Sequence, residues 1–392
     1  MPPEITPRAA DMPGDLDRLR RYAAAQGLER TLERHLAQAR YRPALTRIAE
    51  QDGALAGCAL LGHRRLRLGA ALFEVGAIEA LDVRDSGDAD LFEALLGDCL
   101  GALIDQGLPI VTLYGSNAQY APFGFAVYRF LAAVELRAGA AGTGIALRAA
   151  GAGDLDDLAA LYQASYRGLA LTDERAAPDW RAWLDQHTPL ALEDARGRLV
   201  AYAALAADQT GDLLAIDEAA AADAGAARQL CAALLARVRS QGRAGLVLKL
   251  APWHPTAQAA LHLGGTAQLR APADAEPAPL AGVVDLMGAL EALAPEFERR
   301  LGHSRYAGWS GSLRLELATE RFTLAFDQGR ATVIDGQRPA DLRLRQIELP
   351  ALAQLCLGFR ATADLRATGG LACDDAALGL IDALFPTVLA AE

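Results

Sequence analysis

The chain reads as a mixed α/β protein of three domains, and three observations carry that reading. Two stretches break the hydrophobic periodicity: the glycine-rich 138–144, and 271–279 with Pro272, Pro277 and Pro279. Segments of this kind are linkers, and they divide the 392 residues into 1–137, 145–270 and 282–392, each of ordinary domain size. The first two pieces begin alike. Ile5, Arg8, Ala9, Ala10, Gly14, Asp15, Leu16 and Asp17 return as Ile145, Arg148, Ala149, Ala150, Gly153, Asp154, Leu155 and Asp156. An ordered series at a nearly constant offset marks a duplicated unit. Both copies then alternate strand and helix patterns, whereas the third piece runs through strands before its closing helices.

In the first unit, 45–50, 55–67 and 71–83 read as strands, the first two joined by a turn at Gln51, Asp52 and Gly53. Leu91, Ala94, Leu95 and Cys99 fall at helical spacing, predicting a helix over 90–106 stopped by Gly107. A short buried strand follows over 109–113. The second unit repeats the order with a strand at 199–205, a helix at 224–239 and a strand at 246–250. Asp15 and Asp154 stand where the N-cap of each unit's first helix belongs. In the third piece a helix is expected over 283–293, then strands with turns at Asp327-Gln328-Gly329 and Ile334-Asp335-Gly336, then helices over 350–357 and 374–384.

Composition narrows the function. The net charge is −11, which argues against nucleic acid as a partner and would draw cationic small molecules at long range. No window approaches the roughly 18 apolar residues of a membrane span, and the N-terminus has no signal-peptide pattern. No membrane partner and a cytoplasmic location are therefore expected. The five cysteines and six histidines are scattered without a CxxC or HExxH spacing, so neither a disulfide framework nor a metal site is predicted. His254 and His262 read as loop and core residues, and the basic run His63 to Arg67 as a solvated or subunit-contact face of a hairpin.

Two local words are more specific. One is Tyr120, Ala121, Pro122, Phe123, Gly124 and Phe125; the other is Leu380, Ile381, Asp382, Ala383, Leu384, Phe385 and Pro386. With these words in this order the chain resembles the GNAT acyltransferase superfamily. Its layout is similar to the three-domain branch named for enhanced intracellular survival: a catalytic GNAT domain, a GNAT-like domain without a cofactor site, and a sterol carrier protein-like domain. The resemblance implies transfer of an acetyl group from acetyl-CoA to a primary amine by direct attack in a ternary complex, and a homo-oligomer. The pantetheine arm would pair with the strand at Leu81, Asp82 and Val83, whose backbone would polarise the thioester. The pyrophosphate would sit at Arg84, Gly87 and Asp88 before a helix N-terminus. Tyr120 matches the acid that protonates the leaving thiolate, with Tyr114 as the alternative. Ser116 and Asn117 would cap the next helix or bind the cofactor arm. The resemblance offers the terminal carboxylate, here Glu392, as base, while Glu79 and Asp82 are rivals on the cofactor strand. Their opposite parity predicts opposite faces.

The loop runs against this pattern. GNAT loops carry small residues so that main-chain amides close on the phosphates, whereas 84–91 reads Arg-Asp-Ser-Gly-Asp-Ala-Asp-Leu. Asp85, Asp88 and Asp90 fall where a pyrophosphate belongs, and unit charges about 4 Å apart repel by roughly 1 kcal/mol in water and about 4 kcal/mol at a protein surface. Acids in the first turn of a helix are favoured by its dipole and cap its amides. A second expectation follows: a degenerate GNAT protein that does not bind CoA productively and serves in binding or assembly.

Overall fold

The computed structural model describes residues 5–38, 41–85, 88–139, 145–207, 209, 211–336 and 339–388. The chain groups into two compact units, one formed by residues up to 128 with 273–388 and the other by 129–272.

The sheet of the first unit contains β1 (Ile5–Ala9), β2 (Thr46–Gln51), β3 (Ala54–Leu68), β4 (Ala71–Val83), β5 (Ile110–Ser116) and β6 (Ala126–Val127). β1 to β4 pair antiparallel in chain order, and β5 runs parallel to β4, so a crossover must join those two. The crossover is the third of three helices, α1 (Leu16–Gln26), α2 (Glu29–Leu36) and α3 (Ala89–Asp105). Successive side chains of β3 alternate between faces. Cys58 and Leu60 join Leu19, Tyr22 and Leu32 of α1 and α2, while Ala59 and Leu61 join Leu95, Leu96, Cys99 and Leu103 of α3.

The repeated opening words do a different job from the one expected. Asp15 and Asp154 precede their helices, but neither side chain caps an amide of the helix that follows it; each accepts from an upstream amide, Asp11 N and Gly151 N, at 2.8 Å. Asp15 also binds Arg8 at 2.6 Å and Arg18 at 2.9 Å, and Arg8 also reaches Glu50 at 2.6 Å. Arg148 likewise binds Asp154 at 2.7 Å and Glu193 at 2.6 Å. An arginine on the first strand forms a charge-assisted clamp on the helix start in each unit, and the clamp competes with the cap for the same carboxylate.

The expected linkers do not both lie outside the sheets. Residues Pro277–Val283 form a strand paired antiparallel to β5 over seven residues, with β6 on its other side. The prolines are tolerated because Pro279 turns its main chain away from β5, its carbonyl accepting from Tyr128 N at 3.3 Å, so no β5 bond needs the missing N–H. Conversely Leu131–Arg137, read as the end of the first domain, pairs with Gly245–Leu248 and Thr266–Arg270 in the second unit's sheet. Each sheet thus takes the strand beside its parallel strand from the other end of the intervening sequence. The expected linker residues 140–144 lie outside the described residues.

The second unit's sheet runs in the order Thr266–Arg270, Leu131–Arg137, Gly245–Leu248, Leu213–Ala221, Leu199–Leu205, Leu190–Glu193, Arg148–Ala149. Helix Ala224–Ser240 covers one face, and Leu155–Tyr166 with Ala177–Gln186 packs on the other. The C-terminal part of the first unit has a five-stranded sheet and the helices Leu286–Gly302, Leu349–Cys356, Thr362–Ala367 and Asp375–Leu384. The first of these starts at 286 rather than 283, because Val283 belongs to the β5 ladder. Its buried Glu296 accepts from Ala70 N at 2.7 Å and binds Arg300 at 2.7 Å, fastening this part to the β3–β4 turn.

Candidate functional site

The parallel ladder of β4 and β5 is short: Val75 faces Ile110 and Ile78 faces Leu113, and pairing ends there. β4 nevertheless continues to Val83, still paired with β3 on its other side. Among the described residues no strand joins 79–83 along the edge towards β5, while 114–116 of β5 pair with Pro277–Pro279 on the far edge. The two strands splay apart, leaving main-chain groups of 79–83 open to a guest. The cause is a β-bulge, since Ile78 faces Leu61 and Ala80 faces Leu60, leaving Glu79 as an extra residue.

The bulge corrects the expected parity. With one residue inserted, Glu79 and Asp82 turn to the same face, the one covered by α1 and α2. The Glu79 carboxylate meets His35 Nδ1 at 3.2 Å and accepts from Gln38 Nε2 at 2.6 Å. It lies so close over Gly62 that a Cβ there would stand 2.5 Å from its Oε1. Burial works to raise its carboxyl, but the bonds from His35 and Gln38 outweigh it and hold the group below its ordinary range. Asp82 accepts from the Tyr22 hydroxyl at 2.7 Å, and the phenol is raised by burial and by that bond. His35 continues through Nε2 to Thr46 Oγ1 at 3.3 Å. None of Tyr22, His35 or Gln38 stood out in the sequence, because each is 41 or more residues from its carboxylate.

The α3 face holds the other predicted group. Tyr120 ends the short helix α4 (Asn117–Tyr120) and is 7% exposed. Its ring packs edge-on against Phe92 at 5.5 Å and Phe125 at 5.9 Å. Gly115 permits the approach, since a Cβ there would stand 2.6 Å from the ring. Burial, with a smaller contribution from Cys99, pushes the phenol up to about 12, so it keeps its proton at neutral pH. Tyr114 is 67% exposed. Leu81 packs towards the α3 cluster and Val83 is buried within it.

The remaining expected contacts are engaged elsewhere. Ser116 Oγ donates to the Asp274 carbonyl at 3.1 Å and Asn117 Nδ2 to the Asp274 carboxylate at 3.3 Å, so they brace the approach to Pro277–Val283 and cap no helix. The Arg84 guanidinium bonds the Leu55 carbonyl, turned back onto β3. Asp88 caps α3, accepting from Leu91 N at 3.0 Å, and also accepts from Gln51 at 3.2 Å. Gly87 and Glu392 lie outside the described residues. The opening between β4 and β5 thus leaves main-chain groups available to an extended, amide-bearing ligand, whereas α3 commits one of its free amides to Asp88.

The second sheet repeats the geometry. Its parallel ladder runs from Leu213–Gly245 to Ile216–Leu248, and Asp217 is the extra residue at its bulge. Here a salt bridge crosses the opening, Lys249 Nζ to Asp217 at 2.9 Å. Asp223 caps the following helix at Ala226 N, 2.8 Å, as Asp88 caps α3. His254 is fully buried and pushed down to about 3 by burial, accepting from Thr256 N as a neutral ring. Among the described residues no cluster of three or more His, Cys, Asp or Glu could hold a metal, and no helix is long and apolar enough to cross a membrane.

A sheet splayed beside a bulged fourth strand, met twice, followed by a small α/β domain, defines a tandem GNAT fold with a sterol carrier protein-like C-terminus. Residues 314–390 match the sterol carrier protein domain family. Over the whole length the chain is similar to the GCN5-related N-acetyltransferase from Anabaena variabilis (17% identity, TM-score 0.73, 99% of this chain and 98% of that one). It is similar to one from Kribbella flavida (17%, 0.71, 99% and 97%) and to Eis1 from Mycobacterium abscessus (17%, 0.60, 99% and 98%). At these identities the likeness is one of fold. No curated protein sequence matches the chain.

Proposed function

We propose that the first unit is an N-acyltransferase site using acetyl-CoA as donor and a small cationic primary amine as acceptor. The observation that carries this is the splay at Glu79, with two carboxylates on one face of the sheet and a buried, protonated phenol on the other. Glu79 and Asp82 offer negative charge to an ammonium group, and Glu79 takes the proton that the amine loses as its nitrogen attacks. The C–N bond forms as the thioester C–S bond breaks, and Tyr120 donates its proton to the departing sulfur. Open main-chain groups of 79–83 hold the arm and polarise the carbonyl. A homo-oligomer, which rests on the resemblance, and a cytoplasmic location, which rests on the sequence pattern, belong to the same proposal.

The test is amine-dependent release of CoA thiol from acetyl-CoA across a panel of di- and polyamines. Tyr120→Phe should lower kcat by about 100-fold with KM for acetyl-CoA unchanged. No thiol release with any amine would overturn the proposal. The capping of α3 by Asp88 favours a second reading, a binding or assembly protein that takes up no CoA. The absence of acetyl-CoA binding up to millimolar concentration would support it.

A further inference from the structure

The second unit has a cluster of aromatic side chains on the face corresponding to that of Glu79 and Asp82 in the first. Tyr162 and Tyr166 lie four apart on helix Leu155–Tyr166, and Trp180 and Trp183 three apart on Ala177–Gln186, spacings that set each pair on one helix face. Three of these rings surround one guanidinium: Arg175 Cζ is 4.7 Å from the Tyr162 centroid, 4.9 Å from Trp180 and 5.4 Å from Trp183. All are within the range of cation–π attraction. Below them Glu218 takes the guanidinium with both oxygens, at 3.0 and 2.5 Å. We infer that this is a latent cation-binding site, of the class that takes guanidinium and alkylammonium heads, which the chain's own Arg175 fills in cis.

Two features separate site from occupant. The walls and floor stand on regular elements: Glu218 is on Leu213–Ala221, directly after the bulge, and is fixed by Tyr202, whose hydroxyl donates to it at 2.7 Å. Trp180 braces Tyr162 at 5.4 Å and Trp183 at 5.4 Å, and Trp183 braces Tyr202 at 5.9 Å, none of which involves Arg175. The occupant, by contrast, is carried on the connection just before helix Ala177–Gln186. An ion pair alone needs Glu218 only. Three rings around one planar cation over a bidentate carboxylate is the geometry of recognition. The consequence is that this face of the second unit is closed to outside cations by the chain's own arginine. The inference concerns the second unit alone and stands whether or not the first transfers acyl groups.

The test uses the intact chain with Arg175→Ala and methylguanidinium as probe. Two of the four tryptophans line the site, so intrinsic fluorescence reports occupancy. Arg175→Ala should show a saturable change with a millimolar dissociation constant, weakened about tenfold or more by adding Glu218→Gln, while the wild-type chain shows none. Tetramethylammonium, which can use the rings but not the fork, should bind the same variant more weakly. No saturable response in the variant, or an equal response in the wild type, overturns the inference. Should Arg175→Ala not fold, Arg175→Met keeps the stem's packing. Refolding yield of either variant should then rise with methylguanidinium, and an unchanged yield counts against the site.

Discussion

The two bulged sheets share one construction and differ in what faces the opening. In the first, Glu79 is held by a neutral amide and a histidine, and Asp82 by a tyrosine, so no arginine bonds either carboxylate among the described residues. In the second, Lys249 crosses the opening to Asp217 and Arg175 neutralises Glu218. The backbone device is common to both, and a few side chains around it differ. A fold alone therefore does not assign an activity; the charge around the bulge separates the copies.

The largest expected effect concerns how the copies are joined. A fragment ending at 137, the limit of the first domain by sequence, lacks the seven-residue ladder to β5 and carries an unpaired strand of the other sheet. It should give no cooperative thermal transition by circular dichroism, and a sharp melt would break the account of exchanged strands. Next come the carboxylates. Glu218→Gln leaves the Arg175 guanidinium buried without its partner charge and should cost about 3–5 kcal/mol in denaturant melts. Glu79→Gln keeps a group that can still accept from Gln38 and leaves no buried arginine without its counter-charge, so it should cost less, about 1 kcal/mol. Equal losses would erase the distinction between the faces.

Much of this was legible in the sequence. The repeat at Arg8 and Arg148, the strand and helix order, and the family words at Tyr120 and Phe385 were enough for the tandem fold. What they could not show was pairing. The prolines of 271–279 look like a linker because their missing donors matter only if the strand's bonding edge is known. Glu79 and Asp82 were assigned to opposite faces because a bulge changes parity without any local signature. Asp88 was read correctly as an acid competing for helix amides, since capping is a local interaction. His35 and Tyr22 were missed because their partners come from across the sheet.

Burial opposes ionisation of Asp15, but the hydrogen bond from Arg8, the largest influence, holds its carboxyl down to about 2 from the ordinary 3.8. Because the folded value is depressed, its stabilisation is complete above about pH 4 and is lost as pH falls through about 2. Asp15→Asn should cost about 1–2 kcal/mol at pH 7, discounted for the partly open arginines, and progressively less as pH falls below about 2. Asp154→Asn, in the more open clamp, should cost less; urea melts across pH check both. Asp88→Gly should cost a few tenths of a kcal/mol, since glycine is itself a tolerated cap, while tightening acetyl-CoA binding by freeing the Leu91 amide. Weaker binding in that variant would mean that Asp88 assists the donor site.

If one of the two like-built openings accepts an acyl-CoA and the other does not, calorimetric titration of the intact chain with acetyl-CoA will count the sites. One equivalent bound per chain at micromolar strength is the predicted result. Two equivalents, or no heat up to millimolar concentration, would contradict it.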